Sequence, residues 1–168
     1  ALAAFDRALD LIPGYPRAAL LKGMLLTDLG NQRSALRTLV AARTMRPEVP
    51  DLYGGLAYAG RTSGLLEGAS AAVATRARLS APFRLNMAWF AENTYLYSGR
   101  WEEFRESLSP RQDPVFIFYR AYLELAADMR PEALALFQQG ADIHSTSVPF
   151  GELCAVYAAA LSGDADGA

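Results

Sequence analysis

The sequence predicts an all-α chain built from repeated helix pairs, on three observations. Ala makes up nearly a fifth of the 168 residues and Leu is abundant, both strong helix formers, while Val and Ile are few. Apolar residues recur at i, i+3 and i+4 rather than in strict alternation. One residue pattern also returns at a period near 34. The pattern is Ala1, Phe5, Ala8 and Pro13, then Ala35, Leu39, Ala42 and Pro47. A third copy runs Ala69, Val73, Ala77 and Pro82, with one extra residue in its second half. Later anchors are Phe104, Ala133 and Ala168, so successive steps are 34, 34, 35, 29 and 35 residues.

Each period reads as two helices. In residues 16–47, Leu20, Leu21, Met24, Leu25 and Leu26 form an apolar helical run that ends at Leu29–Gly30. Glycine there can take the left-handed conformation that closes a helix. Asn31 starts a second helix carrying Ala35, Leu36, Leu39, Val40 and Ala42, and Pro47 stops it because proline cannot continue the hydrogen-bond ladder. The same turn recurs as Ser63–Gly64, Ser98–Gly99 and Ser162–Gly163. The expected helices are 1–12, 16–29, 32–46, 50–62, 65–80, 84–98, 100–109, 114–128, 131–143 and 148–161. Short loops between them force neighbours antiparallel.

The pattern resembles the tetratricopeptide repeat (TPR) family, whose second helices carry A-x3-F-x2-A-x4-P. Ala1, Phe5, Ala8 and Pro13 match that half in full, and Ala35, Ala42 and Pro47 match it with Leu39 in the aromatic place. In first helices Gly23 and Ala57 fill the small place, Tyr53 and Leu56 fit around Ala57, and Tyr95 followed by Ser98–Gly99–Arg100–Trp101–Glu102–Glu103–Phe104 looks like the family's junction. The resemblance implies a right-handed α-solenoid of antiparallel pairs. Its units are a half at 1–15, then 16–49, 50–83, a shortened 84–113, 114–147, and a half at 148–168. Beginning and ending at one point of the unit, without evident caps, suggests a window on a longer array. Ser109–Pro110 cuts the fourth unit short, where a bend or loosening is expected. Arg120 and Glu124 occupy places that the simple register would bury, paired with each other at i, i+4. A two-residue insertion before Ala133 would instead put Tyr122 in the tyrosine place, so two registers stay open for 114–128.

Charge and composition exclude several classes of function. Sixteen basic against 18 acidic residues give a net charge of −2, without the basic stripe of a nucleic-acid binder. Lys22 is the sole lysine, and the arginine excess reads as a coding bias of bacterial type because the arginines do not cluster in sequence. No run approaches the ~18 apolar residues of a membrane span. Cys154 alone cannot form an internal disulfide and leaves the compartment open. It falls on an apolar helix face, as a buried small hydrophobe. His144 is the only histidine and is expected in a surface loop, and one His with one Cys does not make a metal set. There is no G-x-S-x-G, G-x-x-x-x-G-K-[ST] or G-x-G-x-x-G; Gly54–Gly55 is the only glycine pair. Glu102, Glu103 and Glu106 read as the solvated face of a helix opening with Trp101. No catalytic residue, cofactor or metal is expected.

Ten of the 18 aromatic residues fall between Trp89 and Tyr122. Tyr95, Trp101 and Phe104 are assigned to the core. The resemblance implies that first helices line a groove for a peptide or partner helix, with groove-facing residues Met24, Asp28, Tyr58, Arg61, Trp89, Phe90, Asn93, Tyr97, Phe118, Tyr119 and Tyr122. The alternative is that Trp89, Phe90 and Phe118 fill space around the short fourth unit. Cochaperone members of that family clamp an acidic peptide with Lys, Arg and Asn. Here Asn93 follows Trp89 rather than a basic residue one turn earlier, so an apolar or aromatic protein partner is expected. Self-assembly as a homo-oligomer or spacer, and a regulatory module of a larger protein, are the competing readings.

Overall fold

A computed structural model describes residues 1–79, 88–108, 114–143 and 150–163, with the side chains of 88–90 excluded. Every regular element among the described residues is helical. These are α1 (Leu2–Leu11), α2 (Pro16–Asp28), α3 (Gln32–Met45), α4 (Pro50–Thr62), α5 (Leu66–Leu79), α6 (Ala88–Tyr97), α7 (Trp101–Leu108), α8 (Pro114–Ala126), α9 (Arg130–Ala141) and α10 (Phe150–Ser162). The chain forms two compact units, Ala1–Arg100 and Trp101–Ala168.

Proline sets the starts. Pro16 and Pro50 stand at the first positions of α2 and α4, where no intrahelical N–H bond is lost and the fixed φ suits the helix. Asn31 caps α3, its side-chain oxygen accepting the Ser34 N–H at 3.3 Å.

Left-handed residues set the corners. Besides Gly14 in the loop before α2, positive φ occurs at Gly30, Gly64, Gly99, Asp128 and Gly163, the turns that follow first helices, at intervals of 34, 35, 29 and 35 residues. The anchors read from the sequence from Ala35 onward step by those same intervals. At the first four corners the next residue's N–H bonds back across the turn: Asn31 to the Leu26 carbonyl, Leu65 to Gly60, Arg100 to Tyr95 and Met129 to Glu124, at 2.8–2.9 Å. This closure satisfies the orphan carbonyls of the preceding helix. Asp128 holds a φ of 60° at the corner the glycine pattern missed.

In the first unit α2 packs on α3 and α4 on α5, while α4 also meets α2 and α3, and α6 meets α4 and α5. Ala35, Leu39 and Ala42 are buried, as their spacing requires. Close approach depends on missing side chains. A Cβ at Gly23 would stand 2.6 Å from Leu39 Cγ, and one at Gly55 would stand 2.8 Å from both Leu20 and Leu39.

The third copy of the pattern departs from expectation. No residue is inserted in α5: Arg76, seven residues after Ala69, takes the place of Ala42 and is 5% exposed, whereas Ala77 lies at the surface. Glu92 on α6, seven residues before Gly99, takes the place of Gly23 and Ala57 and is 7% exposed. The two form an ion pair with Nη1–Oε1 at 3.4 Å. Gly54 lies beside the guanidinium, where a Cβ would stand in ordinary contact 3.4 Å from Nε. A buried charge pair thus fills two places that small residues fill elsewhere in the chain.

In the second unit α8 packs on α7, α9 and α10, and α9 on α10. Ala121, Ala133, Phe137, Cys154 and Ala158 form its core. Ala121 is fully buried seven residues before Asp128, which selects the simple register for α8. Arg120 and Glu124 remain partly exposed, and Glu124 pairs with Arg105 on α7 rather than with Arg120. Tyr95 and Phe104 are buried as assigned, but Trp101 is 50% exposed. The buried stripe of α7 consists of Phe104 and Leu108, and Trp101 sits in the turn before it begins. Ser109–Pro110 and His144 lie outside the described residues.

Candidate functional site

The corner geometry places side chains on first helices in a common register. Met24, Tyr58, Asn93 and Tyr122 each stand six residues before the left-handed residue of their own turn. Asp28 lies one turn after Met24, Arg61 follows Tyr58 by three residues, and Tyr97 follows Asn93 by four, so each pair shares a helix face.

In the first unit these residues link three successive first helices. The Tyr58 hydroxyl on α4 donates to Asp28 Oδ1 on α2 at 2.6 Å. The Arg61 guanidinium carbon lies 5.4 Å from the centroid of the Tyr58 ring and 5.4 Å from that of Tyr97 on α6. The attraction is electrostatic, between the cation and the electron-rich ring faces. The hydrogen bond to Asp28, then burial, then the carboxylate's charge raise the Tyr58 pKa above its usual 10.0, with Arg61 opposing. Tyr97 is 63% exposed, and Tyr58, Arg61 and Met24 are half-buried. The result is a fixed surface row, Asp28–Tyr58–Arg61–Tyr97, whose aromatic and guanidinium groups are oriented before any ligand arrives.

Other expected groove residues are placed differently. Asn93 is 8% exposed, because α6 is covered by both α4 and α5 and all of Ala91–Tyr95 is buried. It is therefore no open polar handle. Trp89 and Phe90 lie in α6, but their side chains fall outside the described residues.

In the second unit Phe118 packs edge-on to Phe137, Phe150 and Tyr157, with ring centroids 5.9, 5.3 and 5.6 Å away. It is half-buried against the unit's core. Tyr119 meets Phe104 and Phe118 at 5.6 and 5.7 Å. These two rings are engaged by neighbours of their own unit, while Tyr122 is exposed. The burial that Phe118 finds is the general preference of a large apolar ring.

Cys154 is fully buried and desolvation pushes its thiol up to about 11. Among the described residues no group of three or more His, Cys, Asp or Glu is placed to hold a metal, and no helix is long and apolar enough to cross a membrane.

No family model matches the chain, and no curated protein sequence matches it. Among solved structures it is similar to YrrB, described as a TPR protein with an unusual peptide-binding site. The likeness covers 99% of this chain and 87% of that one, with a TM-score of 0.66 and 14% sequence identity. The all-helical architecture of the described residues, corners at the repeat interval, small residues at helix contacts within each unit and that structural likeness agree: the chain has the tetratricopeptide-repeat fold.

Proposed function

We propose that the chain is a non-enzymatic scaffold that binds a protein segment along its first helices. The carrying observation is the row Asp28–Tyr58–Arg61–Tyr97, which spans α2, α4 and α6 and leaves Tyr97 open to solvent. Preorganised tyrosine and arginine are the side chains that dominate binding hot spots. A partner's apolar or aromatic side chains pack beside Tyr97 and Met24, and Arg61 and Asp28 orient its polar groups. Trp89 and Phe90 are further candidates on α6, Asn93 is buried one turn before Tyr97, and Tyr122 is a separate exposed candidate within the second unit. The solved neighbour's description as a protein with a peptide-binding site supports the class of ligand.

The test is affinity capture of partners with the wild-type chain, followed by calorimetry on the captured segment. Tyr97→Ala and Trp89→Ala are expected to weaken binding at least tenfold with unchanged helical circular dichroism. Unchanged affinity in both would overturn the reading.

Self-association is the second reading, favoured by apolar side chains exposed on or beside helices α1 and α10: Leu11, Ile12, Leu153 and Val156. Sedimentation over a concentration series distinguishes it, since a strict monomer at high concentration opposes it.

A further inference from the structure

The second helices carry a feature that the row above does not use. Two adjoining cavities of about 380 and 610 Å³ meet at Leu36. The first lies among α3, α4 and α5, floored by Leu56, Leu65, Ala69 and Ala72; the second follows α3 past Val40 and Ala41. Arg43 lines the first, Arg33 and Arg37 line the second, and no acidic residue lines either. Helix α3 itself contains no acidic residue. None of the three arginines is ion-paired among the described residues. Gly68 opens the trough further, since a Cβ there would meet nothing within 4 Å.

We propose that this trough docks an acidic amphipathic helical segment of a partner protein, its apolar side chains on the Leu36–Val40 floor and its carboxylates on Arg33, Arg37 and Arg43. Charge complementarity selects the occupant: an apolar floor lined by three unmatched arginines fits leucine-and-glutamate chemistry. Exposed ion pairs contribute little each in water, so the floor supplies most of the affinity and the arginines supply register and sign. The trough shares no lining residue with Tyr58, Arg61 or Tyr97, so the two surfaces succeed or fail separately.

The probe is a fluorescein-labelled helical peptide of 18 residues with Leu at i, i+4 spacing and Glu on both flanks, read by anisotropy against the full chain. Binding is expected to weaken at least tenfold when Glu is replaced by Lys in the peptide, and again when its Leu is replaced by Ser. Arg33→Glu with Arg37→Glu should weaken it at least tenfold. Gly68→Met, which fills the trough while favouring the helix, should do the same without lowering the melting temperature. Tyr97→Ala should leave it unchanged. Equal binding of the Lys or Ser peptide, or full binding by both protein variants, overturns the proposal. So does a dimer in sedimentation that Arg33→Glu/Arg37→Glu dissolves, because the trough would then belong to a second copy. Tighter binding of a single-stranded oligonucleotide than of the peptide also overturns it.

Discussion

Asp128 shows what one residue contributes to a corner. It occupies a left-handed position that glycine holds at the four equivalent turns, at a cost glycine does not bear. Asp128→Gly is expected to stabilise the chain by about 0.5–1 kcal/mol, seen as a higher urea midpoint at unchanged slope. Tyr58 makes a second prediction at this scale. Its raised pKa means that the folded state holds the phenol proton more tightly than the unfolded state. The associated stability is fully present below the unfolded value near 10.0 and is lost as pH rises through the folded pKa. Asp28→Asn should lower the pKa of Tyr58, measured as the difference between the ultraviolet titrations of each background and its Tyr58→Phe partner.

At the scale of elements, the contacts between helices depend on size. Gly23→Ala would force Leu39 aside between α2 and α3 and is expected to cost about 1–3 kcal/mol, read from denaturant unfolding. The contact between α5 and α6 obeys a different rule. Arg76→Met removes this cation from the buried Glu92 carboxylate, an expected loss of about 3–5 kcal/mol, and the double variant Arg76→Met/Glu92→Leu should recover most of it. Helix boundaries were legible in the sequence because Pro, Gly and Asn act locally: Pro16, Pro50, Gly30 and Asn31 mark starts and stops through their own backbone chemistry. Arg76 is not legible, because a charge in a small residue's place is explained by Glu92, 16 residues on. Asn93 and Trp101 differ from expectation for a related reason. Periodicity tells which face a residue occupies, but how deeply that face is covered depends on neighbouring elements. The Tyr58–Arg61–Tyr97 row was legible as residues and not as a linked set, since the contacts cross from one helix to the next. The arginines of α3 are not legible as a set, because their spacing in sequence is sparse and the trough alone gives them a common setting.

For the molecule as a whole, repeat arrays draw stability from neighbouring contacts and open in parts. Cys154 reports such opening in the second unit. Fully buried and with its thiol pushed up to about 11, it should label negligibly with a thiol reagent at pH 7.5 and quantitatively in denaturant. Gly140→Ala, whose Cβ would stand 2.5 Å from Cys154 Sγ, should speed native labelling at least severalfold. A net charge of −2 leaves little long-range field. The proposed recognition then rests on local chemistry: an aromatic row on the first helices and a cationic trough beside the second.

The corners have a practical consequence. A Cβ added at Gly30, Gly64, Gly99 or Gly163 would meet nothing within 4 Å, and at the first three the sealing hydrogen bonds are made by backbone alone. Asp128 demonstrates that such a site accepts a full side chain. The chain therefore carries five attachment points at near-regular intervals along its length. A dye, a charged tag or a grafted loop fixed at one of the glycines meets open space but bears the same left-handed backbone strain that Asp128 bears, so the cost falls on the corner and not on the helix contacts.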